Sequence, residues 1–367
     1  MPNKIFRDQK NLLLYGLFAL SLVFFLLARI IPSREAKVLR EEMIDASHIM
    51  SEAMKVLREC REARGLAIDP VADINLTGII GVKSSPITTT LGNLAAKRTS
   101  ANPNLAGLVV FLLRKAGVDS GDPIAVGASG SFPGLYLAVL SAAKVMELEP
   151  LILASLGASQ WGANCPDSHL LHMQMCLQQN GIFSFQPIAF SIGGDQDIGR
   201  DMPEEGRTLL IKDIQESGFP ILSEGDLKTN VKSRMRMYFQ KASGDQIKAF
   251  VNIGGSWSNM GIDSAILRLK PGLGKIAQLS PEERRGVIHA MAALDIPVIH
   301  LLFVHGLVQK YGIAWDPVPL PQPGEGDLYL KIEEKQKSFL CISVIYLVLF
   351  GILLGFGKKS LSENANV

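Results

Sequence analysis

Ser129 stands in Gly127-Ala-Ser-Gly-Ser131, between the apolar run Pro123-Ile-Ala-Val126 and a helical stretch that begins near Leu135. A serine held between glycines where a strand turns into a helix can be presented as a nucleophile. The segment approaches the Gly-x-Ser-x-Gly elbow, with Ser131 in place of the last glycine. Such a serine needs an adjacent base. Asp195, Asp197, Asp226 and Asp263, then His289, His300 and His305, permit the chain order Ser, Asp, His, with His305 as the candidate base. Thr88, Thr89 and Thr90 form a second hydroxyl cluster, with Thr89 as the alternative nucleophile. Against both stands a plainer reading, in which Ser129 only binds a ligand.

That reading draws on more of the chain. Ser85, Thr88, Thr89, Thr90, Lys97 and Arg98 fall in one polar segment; Gly127, Ser129, Gly130 and Ser131 in the next; and Ser159, Trp161 and Asn164 in a third. Gly194, Asp195 and Asp197 mark a fourth, and Gly255 and Ser256 a fifth. Glycine lets backbone N–H groups approach a ligand closely, and a helix start aims several of them at one point. With hydroxyl donors and the cations Lys97 and Arg98 added, the ligand that fits is an anion, either phosphate or carboxylate. Lys83 and Arg200 could add further charge. No loop carries Gly-x-x-x-x-Gly-Lys-Ser/Thr, and none carries Gly-x-Gly-x-x-Gly after the first strand, so no cofactor is expected. Asp195 and Asp197 suit Mg²⁺ beside a phosphate or, more simply, an Asx-turn and helix cap. His169 and His172 with Cys165 and Cys176 match no standard zinc spacing, and no metal is expected.

The elements that must position these residues repeat one theme from 75 to 320: a short apolar run, a Gly/Ser-rich loop, a helical stretch. Runs at 77–82, 123–126, 151–154, 187–190, 249–253 and 297–303 read as strands. Ser280-Pro-Glu-Glu283 reads as a capping box opening a helix to Ala293. Strands alternating with helices predict an α/β fold, a mostly parallel sheet with helices on both faces, Rossmann-like. In such sheets ligands bind outside the carboxyl ends of the strands, where these loops fall.

Two apolar stretches flank this region. Residues 12–31 carry no charge until Arg29, and residues 339–356 are closed by Lys358 and Lys359. Each is long enough to cross a bilayer as a helix. The chain therefore divides into a tail and transmembrane helix (1–32), a juxtamembrane helix (33–66), the α/β domain (67–325), a linker (326–338), and a second transmembrane helix with its tail (339–367). Basic residues are nearly balanced across the two segments. The short tails weigh more than the long loop, which places the termini in the cytoplasm and the domain outside. A net charge of +2 gives no reason to expect nucleic acid. Leu39, Met43, Ala46, Met50, Ala53, Leu57 and Cys60 alternate spacings of four and three. That seam could pair two chains as a homodimer through residues 39–60, or pack on its own domain. Of four cysteines, only Cys165 and Cys176 look placed to pair.

Four motifs, Ser85-Pro-Ile-Thr-Thr-Thr-Leu-Gly92, Ala96-Lys-Arg-Thr-Ser-Ala-Asn-Pro103, Gly127-Ala-Ser-Gly-Ser-Phe-Pro133 and Ser155-Leu-Gly-Ala-Ser-Gln-Trp-Gly-Ala-Asn164, resemble the bacterial poly-gamma-glutamate system protein family over about residues 70–320. The resemblance implies an accessory membrane protein that works beside the synthase and export subunits of poly-γ-glutamate. It supplies no reaction. Two classes of function follow: a subunit that binds the polycarboxylate polymer or its synthase, or an anchored Ser/Thr-dependent hydrolase or transferase acting on the polymer.

Overall fold

The structure is a computed structural model that describes residues 2–30, 34–274, 276, 280–333 and 343–355. They fall into two compact units, 41–328 and the described parts of 1–40 with 329–367.

The larger unit is built on a six-stranded sheet. Its strands are β1 (Pro123–Ser129), β2 (Glu149–Ser155), β3 (Ala189–Ser191), β4 (Ala249–Ile253), β5 (Gly272–Gly274) and β6 (Val298–Leu301), in the order β3-β2-β1-β4-β6-β5. All pairings are parallel except β5 with β6. Every residue of β1 and β4 is buried, which explains why these strands read as continuous apolar runs rather than alternating ones. Among the described residues, α-helices precede, connect or follow the strands: α1 (Pro2–Ile30), α2 (Arg34–Ala63), α3 (Leu94–Ser100), α4 (Asn104–Lys115), α5 (Pro133–Val145), α6 (Leu170–Gln179), α7 (Glu204–Ser217), α8 (Leu227–Lys241), α9 (Trp257–Met260), α10 (Val287–Ala292), α11 (Val304–Tyr311) and α12 (Asp327–Glu333). The core on one face joins Ala125, Leu151, Leu153, Phe250 and Val298 of the sheet to Val231 and Tyr238 of α8 and Ile288 and Met291 of α10. α4 and α5 pack against each other, and α5 is almost wholly buried.

The chain runs from β1 out to β3 at one edge, then returns to lay β4 on the other side of β1. The loops after β1 and β4 therefore leave in opposite directions, and a crevice opens between them at the carboxyl ends.

Several expectations change. Residues 77–82 form no strand; Gly81 N–H and Val82 N–H donate instead to Trp161 O and Asn164 Oδ1. The capping box is a short 3₁₀ turn (Glu282–Arg284), and the helix starts only after Gly286. Ser280 Oγ shares a hydrogen bond with His289 Nε2 instead of capping. The heptad seam is not a free dimer face, because Met43, Ala46, Met50, Ala53 and Leu57 are buried within this chain. Cys176 pairs with Cys60 across 116 residues, tying α6 to α2, and among the described residues Cys165 is left as the free thiol. Sequence spacing could not reveal that pairing, since it depends on α2 lying beside α6.

In the smaller unit, α1 carries exposed apolar side chains at Leu12, Leu14, Tyr15, Phe18 and Leu22. Residues 343–355 are helical and expose Ile345, Leu347, Val348 and Ile352. Ser21 Oγ and the Tyr346 hydroxyl are 2.8 Å apart, and Phe24 stacks on Tyr346 at 4.5 Å. Among the described residues no helix is long and apolar enough to cross a membrane. Positions 339–342 and 356 of the second apolar run, and the linker from 334 onward, lie outside the described residues.

Candidate active site

The crevice between β1 and β4 is a cavity of about 260 Å³. Six segments meet there: 89–93 with Lys97, the end of β1 and its loop, the end of β2 and its loop, Gly194 with Asp201, the loop after β4, and Leu302 after β6. Of the residues singled out by sequence, Thr89, Thr90, Lys97, Ser129, Ser131, Ser159, Gly194, Gly255 and Ser256 line it.

Each wall has a local cause. β1 ends at Ser129, Pro133 occupies the first turn of α5, and Gly130 allows the chain between them to turn. A Cβ on Gly130 would lie 2.5 Å from Leu156 O, so only glycine lets the loops after β1 and β2 approach this closely. Ser131 N–H donates to Ser129 Oγ (3.2 Å), and Ser159 N–H donates to Ser131 Oγ (3.0 Å). The three serines are thus coupled through alternating backbone and hydroxyl groups. Asn93 caps α3 by accepting from Ala96 N–H at 2.9 Å, which fixes the turn that carries Lys97.

Lys97 is the decisive group. It is 2% exposed and its ammonium end is aimed at the serines, not at solvent. Its Nζ donates to Ser131 O and to Ser159 Oγ, the latter at 2.8 Å, and lies 3.7 Å from the centroid of the Phe132 ring. Burial disfavours the charged amine and lowers its pKa to about 7. Near neutrality a large fraction of Lys97 is therefore a free amine, with two N–H donors and a lone pair. A deprotonated lysine beside a serine hydroxyl in a cleft is a base poised next to a nucleophile.

The remaining candidates lie elsewhere. Ser85, Thr88 and Asn164 stand behind the wall: Thr88 Oγ1 accepts from Ser85 N–H and Asn164 Nδ2 at 2.8 and 2.9 Å. Gly127 is inside β1, and Trp161 holds residues 81 and 82 through its backbone; the tryptophan that lines the cavity is Trp257. Arg98 forms a two-pronged ion pair with Asp316, at 2.7 and 2.5 Å, and is not offered to an anion. Asp197 is buried and accepts from Arg234, Asn230, Ser155 and Ser191 at 2.8–2.9 Å, so it holds the ends of β2 and β3 together rather than a magnesium ion. Asp195 gives its N–H to Asp201. His305 is not among the residues lining the cavity and packs edge-on against Trp315, while His289 and His300 are engaged by Ser280 and Asn252. The basic group in contact with a pocket serine is an amine, not an imidazole.

Sequence reasoning did not single out Ser155, Phe132 or Asp201 as site residues, and it took Lys97 for a cation offered to an anionic ligand rather than a buried amine bonded to the serine loops. The signal for α3 was present: Asn93 followed by Leu-Ala-Ala-Lys-Arg reads as a capped helix. Its burial was not legible, because that depends on α5 packing against it. Comparison of the chain with protein-family models, with curated proteins and with solved structures finds no match, so the chemistry of the site rests on its geometry.

Proposed function

We propose that the cavity is an acyl-transfer centre, with Ser159 as nucleophile and Lys97 as general base, in a membrane-anchored protein that cleaves or transfers amide-linked acyl groups. The observation that carries this reading is the buried Lys97 Nζ, 2.8 Å from Ser159 Oγ at the wall of the cavity. In its neutral form Lys97 accepts from Ser159 Oγ–H through its lone pair, the reverse of the bond its ammonium makes, and takes that proton as Oγ attacks the carbonyl carbon. The resulting ammonium then protonates the departing amine as the C–N bond breaks, leaving an ester on Ser159. Water, or an acceptor amine, completes the turnover with Lys97 again as base. N–H groups of the glycine-rich loops suit the oxyanion.

The resemblance to the poly-gamma-glutamate system family suggests the substrate, a γ-linked glutamyl amide. The cavity, at about 260 Å³, falls just below the roughly 300–1,000 Å³ range of ligand pockets. It suits one residue or a chain end, not a long stretch of polymer. A purely polycarboxylate-binding role fits less well, because Arg98 is paired with Asp316 and Lys97 is buried. Anchoring by residues 12–31 and 339–356 is part of the same proposal. The exposed apolar side chains of α1 and of 343–355 support it. The Cys60–Cys176 disulfide supports an extracytoplasmic domain, since such bonds persist in oxidising compartments.

The test is the length distribution of poly-γ-glutamate incubated with the purified protein. Shortening or transfer that vanishes in Lys97→Met and Ser159→Ala is expected. Unchanged polymer with the native chain, or full activity in both variants, would sink the proposal.

A further inference from the structure

Away from this cavity, α6 and α7 bring three ligating side chains together. His169 caps the start of α6, His172 follows one turn later, and Asp213 projects from α7. One ligating atom from each lies within 4.8 Å of the others. His169 Nε2 and Asp213 Oδ2 are 2.8 Å apart, and the two imidazole rings are 4.1 Å apart between centroids. His169 is fully buried, and the Nδ1 atoms of both histidines are buried without a hydrogen-bond partner. A buried imidazole nitrogen with no partner is unfavourable.

We propose that His169, His172 and Asp213 bind a divalent metal ion of borderline softness, zinc foremost. Two imidazoles and a carboxylate are a ligand set that zinc takes, with a fourth place left for water or a further donor. Two donors on one tetrahedral zinc, each at about 2.0–2.1 Å, stand about 3.3 Å apart. Opening the 2.8 Å His169–Asp213 contact by about half an ångström therefore exchanges a hydrogen bond for a shared ion. Sulfur is not offered, since Cys176, one turn beyond His172, is tied to Cys60. Arg64 does not occupy the acid, because its guanidinium donates to Asp167 O.

The site is independent of the acyl-transfer reading and is tested without activity. Full-length protein in detergent is stripped with a chelator, and cobalt(II) is added. One equivalent should bind with the visible absorption of a tetrahedral ion and be displaced by zinc. His172→Gln and Asp213→Asn change partly exposed side chains, so both should keep the metal-free thermal midpoint while weakening binding at least about tenfold. A native protein that gives no tetrahedral cobalt spectrum would overturn the proposal. So would variants that bind as tightly as the native chain.

Discussion

At the scale of the residue, Lys97 is expensive where it stands. Its folded pKa of about 7 lies below the 10.5 of an exposed lysine. Between those values the unfolded chain binds a proton that the folded chain does not, so this group makes stability rise with pH across that window. Below about 7 both states hold the proton and the full cost of burying charge is present. Lys97→Met should therefore raise the thermal midpoint at pH 7 while abolishing turnover, the opposite of what a structural lysine would do. The same titration sets the activity profile. Turnover needs the free amine, so kcat/KM should climb through about pH 7 to a plateau above it, and a pH–rate series checks this. Ser159→Ala should lower kcat by at least about 10²-fold. Ser129→Ala should do less, since Ser129 Oγ accepts from Ser131 N–H and its bond is to the loop rather than to the base.

At the scale of the element, the separation of Lys97 from the serines is set by how closely α3 approaches α5. Gly134 fixes that approach, because a Cβ there would lie 2.2 Å from Ser100 O. Gly134→Ala should push α3 outward and draw Lys97 from Ser159. The expected result is a fall in kcat larger than the loss of stability would explain, measured by steady-state kinetics beside thermal unfolding. The Cys60–Cys176 bond acts on α2 and α6 in another way, closing a long loop in the unfolded chain. Cys176→Ser, or reduction, should cost about 2–4 kcal/mol in denaturant unfolding. These contacts also mark where sequence reading stops. β1, β2, β3, β4 and β6 were legible because buried parallel strands leave apolar runs such as Ile124–Val126 and Ala249–Val251, whereas the three-residue β5, Gly-Leu-Gly, leaves no such run. The 77–82 run looked the same but has no strand beside it and bonds to a loop. Ser129, Ser131 and Ser159 were legible as site residues from glycine-rich loops at strand ends. That Lys97 is their buried neighbour was not, because burial of one side chain is decided by helix packing.

At the scale of the whole molecule, the switch point between β1 and β4 explains why loops far apart in sequence line one cavity. The apolar side chains exposed on α1 and on 343–355 are what the proposed anchoring would place against a bilayer. A segment of residues 33–337 should remain in the aqueous phase of a detergent partition, whereas the full chain should enter the detergent. With the domain outside, a cysteine introduced at exposed Lys228 should react with a membrane-impermeant thiol reagent in intact cells; labelling only after lysis would put it inside.

The central claim is that a serine next to Lys97 carries an acyl group, and trapping that ester tests it most directly. The full-length protein is mixed with poly-γ-glutamate oligomers, quenched in acid and digested for mass spectrometry. A γ-glutamyl adduct on the peptide bearing Ser159, absent from Lys97→Met and Ser159→Ala, is the predicted result. An adduct on Ser129 or Thr89 instead, or shortened oligomers with no adduct on any serine or threonine, would contradict it.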